Sequence, residues 1–216
     1  MTSSFRGTHV TTTVAFVIST IAAAPALAQG AAAPTPVEVR GGTASFDVGT
    51  NVPALAVHGK STSLQGRVRV RRGPDGPVLE QIDAAVPVKT LGTGLGLRDQ
   101  HMRKYIFTTE DGSTPDVRFV ADKATCSKVA ANQSTCQVAG DLVIRGTSRP
   151  FAIALKVTED GDSYHASGDS VVKLSTYGIA QPSQLGVKTS DEVKLRLDFT
   201  GRPAVATAVA TTGVVK

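Results

Sequence analysis

The chain has 216 residues, 41% of them hydrophobic, and a formal net charge of +5 from 23 basic and 18 acidic side chains. The length corresponds to one domain. The chain has no tryptophan and only three tyrosines, and its cations are spread along the sequence, which argues against a nucleic-acid-binding protein. The mild positive charge still allows a weak, transient attraction to anionic membranes.

The first 28 residues have the features of an export signal. Arg6 precedes an apolar run from Val14 to Leu27, and this run ends in the small-x-small sequence Ala26-Leu27-Ala28. The run is too short and too poor in large side chains for a stable spanning helix, and no later segment is long enough. We therefore expect cleavage after Ala28 and a periplasmic or secreted protein.

Segments of biased composition flank the rest of the sequence. Residues 29–41 begin as an Ala/Pro-rich leader, and residues 202–216 are rich in Ala, Val and Thr. We expect both segments to be flexible, with the alternative that the tail pairs as an edge strand. A single folded domain over residues 42–201 lies between them.

Alternation of apolar and polar residues, which is typical of β-strands, begins early in this domain. In "GRVRVRRG" (66–73), Val68 and Val70 alternate with arginines, and "GPDG" (73–76) predicts a hairpin turn. A strand-like segment, "PVLEQIDAAVPV", follows that turn. "DVRFVADKAT" (116–125) alternates more weakly, and it precedes two cysteines.

The second half of the domain alternates more strictly. "QVAGDLVIRG" places Val138, Leu142 and Ile144 on the same face as Cys136. Two further segments, "RPFAIALKV" and "EVKLRLDFTG", each have one apolar face, formed by Phe151, Ile153, Leu155 and Val157 in the first and by Val193, Leu195, Leu197 and Phe199 in the second. We expect these two faces to point inward, because the opposite faces are more polar.

About eight strands joined mostly by short turns, with one convincing helix, favour an all-β fold. Such a pattern is typical of an antiparallel sheet that is closed or nearly closed into a barrel. A barrel of this size is either filled by side chains or holds one small ligand, and alternation alone does not distinguish these interiors.

Cys126 and Cys136 are the two cysteines of the chain. An even number of cysteines in an exported protein indicates a disulfide, whereas a redox pair is the alternative. Their spacing is not Cys-x-x-Cys, so we favour a structural bridge. The turn-like sequence between them predicts a staple between neighbouring strands, near a hairpin loop and outside the barrel interior.

The stretch "GLGLRDQHMRKYIF" (94–107) concentrates charge between apolar residues. It fits a short helix over 97–105, with Leu97, Met102 and either Tyr105 or Ile106 near one face. Helix electrostatics account for the charges without any catalysis, since an acid lies in the first turn and two cations lie in the last.

A catalytic interpretation of the same stretch is the alternative. Asp99 and His101 would then act as an acid–base pair on a small apolar substrate. A zinc site built from His58, His101 and an acid is a second alternative. Neither histidine stands in a ligand-spaced pair, so we favour no catalytic residue, no metal and no cofactor.

Several motifs, in order, resemble the YceI-like family of exported polyisoprenoid-binding proteins. They are "VHGKSTSLQGRVRV" (57–70), "LRDQHMRKYIF" (97–107), "TPDVRFVA" (114–121), "GDLVIRGTSRPFAIAL" (140–155), "LSTYGI" (174–179) and "SDEVKLRLDFTG" (190–201). The resemblance covers roughly residues 42–201. The cysteine pair and the cationic strand at 67–72 depart from the family pattern.

The resemblance implies an eight-stranded lipocalin-like barrel with one or two short helices and an amphiphilic isoprenoid chain inside. The expected ligand contacts are apolar, namely Phe46, Val68, Val70, Leu97, Met102, Phe107, Phe119, Leu142, Ile144, Phe151, Ile153, Leu155, Leu174, Leu195, Leu197 and Phe199. A polar network of Arg98, Asp99, His101 and His58 is expected at the helix and ligand mouth. We favour a role for it in fixing the helix over a role in meeting the ligand head.

Three functions remain open at this stage. The leading hypothesis is a non-enzymatic lipid-binding protein that carries, stores or scavenges its ligand outside the cytoplasm. The alternatives are the enzyme described above and a ligand-free barrel with a structural or envelope-stress role. The sequence specifies neither the ligand's head group nor an oligomeric state.

Overall fold

The computed structural model describes residues 33–204 of the chain. The expected signal peptide, its cleavage site and most of the expected tail lie outside the described residues. The strands are β1 (Thr35–Thr50), β2 (Val57–Ser61), β3 (Gln65–Gly73), β4 (Gly76–Val86), β5 (Val117–Ala130), β6 (Gln133–Ile144), β7 (Thr147–Asp160), β8 (Ser163–Lys173), β9 (Ser183–Gln184) and β10 (Val187–Pro203).

Helical structure occupies the connections between strands. Helix α1 (Gly96–Met102) continues directly into a π-helical turn (Arg103–Phe107), and short 3-10 turns cover Pro53–Leu55, Val88–Thr90 and Leu174–Tyr177. The predicted helix over 97–105 is confirmed in position. No helix within residues 33–204 is both long and apolar enough to cross a membrane.

Eight of the strands close into an antiparallel barrel. Their order is β1-β3-β4-β5-β6-β7-β8-β10, and β10 pairs back with β1. The short β2 pairs with the second half of β1, beside the part paired with β3, and the short β9 pairs with the start of β10. The predicted all-β, lipocalin-like barrel is therefore confirmed. Closure leaves the long strands without exposed edges.

The expected flexible leader is wrong from Thr35 onward. β1 starts there, and Val37 and Val39 are buried and lie opposite Pro203 and Gly201 of β10. The sequence "TPVEVR" alternates over too few residues to be distinguished from the Ala/Pro-rich segment before it. The folded domain thus begins earlier than residue 42, and it extends past 201, since the Ala204 amide donates a hydrogen bond to the Pro36 carbonyl.

The two ends of the barrel are built differently. At one end, tight turns at 74–75, 131–132 and 161–162 join successive strands, and we call this the turn end. At the opposite end lie the connections 51–56, 87–116 and 174–186, and we call this the loop end. Helix α1 belongs to the loop end.

The predicted disulfide between Cys126 and Cys136 is confirmed. The two residues lie directly opposite each other on β5 and β6, with their Cα atoms 3.9 Å apart. The predicted position near the hairpin end is confirmed, because the pair lies close to the turn at 131–132. The expectation that the bridge lies outside the barrel interior is wrong, because both side chains are buried in the inner layer with Val138 and Leu155. The alternation of β6 places Cys136 on the inward face, and the bridge therefore belongs to the packed wall of the barrel.

Candidate ligand-binding cavity

The inward side chains of the barrel enclose a cavity of about 1650 Å³. This volume exceeds the roughly 300–1,000 Å³ of ordinary small-molecule sites. The cavity runs from Val37 and Leu79, near the turn end, to Leu97 and Leu185 at the loop end. Its shape therefore suits an elongated ligand whose one end remains near the loop end.

All sixteen side chains that the sequence predicted as ligand contacts line this cavity. Strand alternation explains most of them, because successive side chains of a strand point to opposite faces. On β10, Val193, Leu195 and Leu197 are half-buried toward the cavity, whereas Lys194 and Arg196 are exposed on the outer surface. On this strand the apolar side chains therefore face the cavity and the charges lie outside, whereas Arg67, Asp83, Arg98 and Arg145 of other segments also border the cavity.

Gly140 shapes the wall where β5 and β6 approach each other closely. A Cβ atom at this position would lie 2.2 Å from the Val120 carbonyl oxygen and 2.9 Å from Cζ of Phe119. The missing side chain lets Phe119 cross β6 and meet Phe151 edge-to-face, with ring centroids 5.9 Å apart. Such aromatic pairs favour this geometry. The sequence contains the glycine, but it gives no indication of this contact.

Thr93 organises the start of helix α1. Its amide and hydroxyl donate hydrogen bonds to Oδ1 of Asp99 over 2.8 and 2.5 Å. Arg98 donates from Nε to the Thr93 hydroxyl and from its terminal nitrogen to the Thr93 carbonyl. The hydrogen bond from the Thr93 hydroxyl holds the pKa of Asp99 below its usual range. These contacts favour the fixing role for Arg98 and Asp99, and sequence reasoning missed Thr93.

Arg103 fastens the following π-helical turn to the neighbouring connection. Its guanidinium donates to the carbonyl oxygens of Leu91, at 3.0 Å, and Lys89, at 3.3 Å. The sequence suggested only a favourable charge near a helix C-terminus for this residue. The structure gives it a specific role in joining α1 to the 3-10 turn at Val88–Thr90.

The two histidines of the predicted polar network lie in different places. His101 lines the cavity mouth, and its ring meets Tyr105 edge-on at 5.7 Å. His58 points to the outer surface of β2 and pairs with Asp47 of β1, so its predicted place at the mouth is wrong. The alternation of β2 explains this position, because Val57 and Gly59 flank the histidine and take the opposite face. The zinc alternative, which combined both histidines, loses its geometric basis.

The sequence from residue 36 to residue 201 matches the pattern of the YceI-like domain. The chain belongs to the YceI-like family. The resemblance found in the sequence motifs is confirmed. The match also includes most of β1, whose first residues the sequence analysis assigned to the leader.

Curated relatives of this YceI-like chain carry the name UPF0312 protein. Those from Pseudomonas paraeruginosa and Pseudomonas aeruginosa are each 27% identical over 131 residues, covering 58% of this chain. The alignment spans 64% of the length of each relative, which is less than two thirds.

Solved structures show the same YceI-like fold. A polyisoprenoid-binding domain from Saccharophagus degradans, implicated in plant cell wall breakdown, gives a TM-score of 0.58 at 11% identity, covering 78% of this chain and 98% of that domain. BcnA from Burkholderia cenocepacia gives 0.54 at 17% identity, covering 74% and 95%. At these identities the likeness establishes the fold alone.

Proposed function

We propose that the protein binds one isoprenoid or similar amphiphilic lipid chain in the barrel cavity and carries, stores or scavenges it outside the cytoplasm. The observation that supports this most directly is the mostly apolar wall around about 1650 Å³. The name of the Saccharophagus degradans domain supports the ligand class. The apolar run before Ala28 supports the location.

The energetics suit a hydrocarbon chain. Burial of each methylene contributes about 0.8 kcal/mol, so a long chain binds without a charged anchor. The loss of motional freedom on association offsets much of that sum. The polar head then remains at the loop end, where Arg98 and His101 border the cavity.

The contacts of the polar network at the mouth agree with a carrier that catalyses no reaction. In an acid–base pair, the carboxylate of Asp99 would orient the ring of His101. Its oxygen instead accepts two hydrogen bonds from Thr93, and His101 packs against Tyr105. The cluster therefore serves to hold the helix, and we assign no catalytic residue.

Organic extraction of purified protein followed by mass spectrometry tests the proposal. Leu195→Asp and Ile153→Asp place a carboxylate on the cavity wall, which costs several kcal/mol beside an apolar chain. We expect both variants to lose the lipid that the parent retains per folded protein. Ala154→Asp is the matched control, because Ala154 follows Ile153 on β7 and is exposed on the outer face.

Circular dichroism shows whether each variant is folded. Folded inward variants that keep their lipid would contradict the assignment of the cavity. A parent that yields no lipid at all would remove the main support for a carrier, and an altered lipid product would favour the enzyme instead. Lys194→Ala and Arg69→Ala, both on the outer face, should leave the extracted lipid unchanged.

A further inference from the structure

Exposed apolar side chains gather around the cavity mouth. In the described part of the chain, eight large hydrophobic side chains are exposed, and two of them, Val129 and Val171, lie elsewhere. The other six lie on three segments at the loop end, 51–56, 92–107 and 178–187, which we call the mouth segments. They are Val52, Leu55, Leu95, Leu97, Tyr105 and Leu185. All but Val52 also line the cavity opening.

Leu185 is the most informative of these six residues. It is 97% exposed, and it lies with Gly186 at the tip of the two-residue turn between β9 and β10. Both residues have left-handed backbone angles, with φ of 52° and 80°. Turns of this kind favour Asn-Gly, and a leucine with positive φ is strained. Exposure to water and the positive φ both disfavour a leucine at this position. This indicates that Leu185 meets an apolar environment outside the molecule.

The mouth segments and the tight turns at the opposite end differ in the sign of their charge. Two mouth segments, 51–56 and 178–187, contain no charged residue, and the third contains Arg98, Arg103 and Lys104 against Asp99 alone. The turns at the other end, 73–76, 129–133 and 159–163, contain no Lys or Arg, and their four acids are Asp75, Glu159, Asp160 and Asp162. The mouth segments therefore combine apolar and cationic groups, whereas the three tight turns themselves contain only acidic charges.

We propose that the mouth segments dock on the surface of an anionic lipid bilayer, with Leu97 and Leu185 entering the boundary between headgroups and acyl chains. Apolar insertion and attraction to anionic headgroups together determine binding of this type. Lys104 lies over the ring of Tyr105 at 5.4 Å, which provides a cation and an amphipathic ring at the level of the headgroups. This docking proposal rests on the proposed function in one respect. Docking through the mouth segments turns the cavity opening toward the bilayer that would supply or receive the ligand.

Co-sedimentation of the protein with vesicles tests the docking face. The probes are vesicles of phosphatidylcholine mixed with phosphatidylglycerol, and vesicles of phosphatidylcholine alone. The Leu97→Ser/Leu185→Ser variant should bind the mixed vesicles about 100-fold more weakly than the parent, or roughly tenfold per leucine. The matched control, Val129→Ser/Val171→Ser, removes two exposed apolar side chains away from the mouth and should bind like the parent.

Two single variants sharpen the test. Leu185→Asn should raise the thermal unfolding midpoint, because it relieves the strained turn, and should weaken vesicle binding by about tenfold. If Leu185 had only a structural role, its replacement would not raise the unfolding midpoint and weaken vesicle binding at the same time. Lys104→Gln should weaken binding to mixed vesicles by about fivefold and leave binding to phosphatidylcholine unchanged.

Mouth variants that bind vesicles as the parent does would overturn the proposal. It would also be overturned if the parent forms a dimer in lipid-free buffer that the leucine variant dissociates, since the face would then join two copies of this chain. Extracted lipid is measured in parallel. A parent that binds vesicles but contains no lipid contradicts the carrier function alone, and a parent that contains lipid but ignores vesicles contradicts the docking face alone.

Discussion

The loop end and the turn end belong to the same eight strands, yet different interactions hold them together. At the turn end, two-residue turns join successive strands, and a disulfide inside the wall links β5 to β6. At the loop end, side chains such as Arg98, Asp99 and Arg103 bind backbone groups of the long connections. The difference indicates that strand pairing and tight turns stabilise the barrel, whereas the long connections form its opening.

The largest expected effect concerns the disulfide. Replacing both Cys126 and Cys136 with Ala should lower the free energy of unfolding by about 3 kcal/mol, as expected for a loop of this length. Urea unfolding followed by circular dichroism measures it, and the parent under reducing conditions should show a similar loss. Extracted lipid and vesicle binding should remain unchanged. A variant of normal stability that lost its lipid would show that the bridge shapes the cavity.

A smaller effect is expected at the loop end. Arg103→Met removes the hydrogen bonds to the carbonyls of Leu91 and Lys89, which should cost on the order of 1–3 kcal/mol. Hydrogen exchange should accelerate over residues 88–107 and remain unchanged in β5 and β6. Lys89→Met is the matched control, because it leaves both carbonyl acceptors in place and its side chain is exposed. Uniform acceleration across the barrel would mean that the two ends are not independent.

The smallest effect is a pH dependence of the loop end. Hydrogen bonding to Thr93 lowers the pKa of Asp99 below 3.8, so its stabilising contribution is complete above that value and is lost as the pH falls through the lower pKa of the folded state. Hydrogen exchange over residues 92–102 should therefore increase in strong acid. Asp99→Asn should abolish this dependence.

A second carboxylate at the loop end serves as the control for Asp99. Asp191 accepts hydrogen bonds from Ser175, which lower its pKa in the same direction. Asp191→Asn should leave the pH dependence over residues 92–102 unchanged. If it removes that dependence instead, the two carboxylates titrate as one coupled system and the local role of Thr93 is wrong.

The strands and their inward faces were predictable because alternation has a strict period of two. That period identified Ile153 and Leu195 as wall residues without any knowledge of the fold, and it also placed Cys136 on the inward face. The hairpin spacing of the cysteines correctly indicated a position near the turn, and the alternation of β6 indicated the inward face. The expectation that the bridge lies outside the barrel interior was wrong because it neglected this alternation.

The loop end was less predictable because long-range contacts determine it. Thr93 lies between two glycines, and no pattern in its neighbours indicates that two charged side chains of α1 bind it. His58 was assigned to the mouth through a motif alone, although the alternation of β2 points it outward. Periodic signals thus describe the wall of the cavity, whereas the opening depends on contacts between distant segments.

The pairing of β1 with β10 has a consequence for when the proposed ligand can enter the cavity. Val37 lies opposite Pro203, so strands near the two ends of the described chain must meet before the wall is complete. Contacts so distant in sequence form slowly, because a long loop must close first. The binding compartment therefore comes into existence only with the last strand, and a nascent chain that lacks β10 has nowhere to sequester a lipid. Under the proposed function, loading must then follow the pairing of β10 with β1.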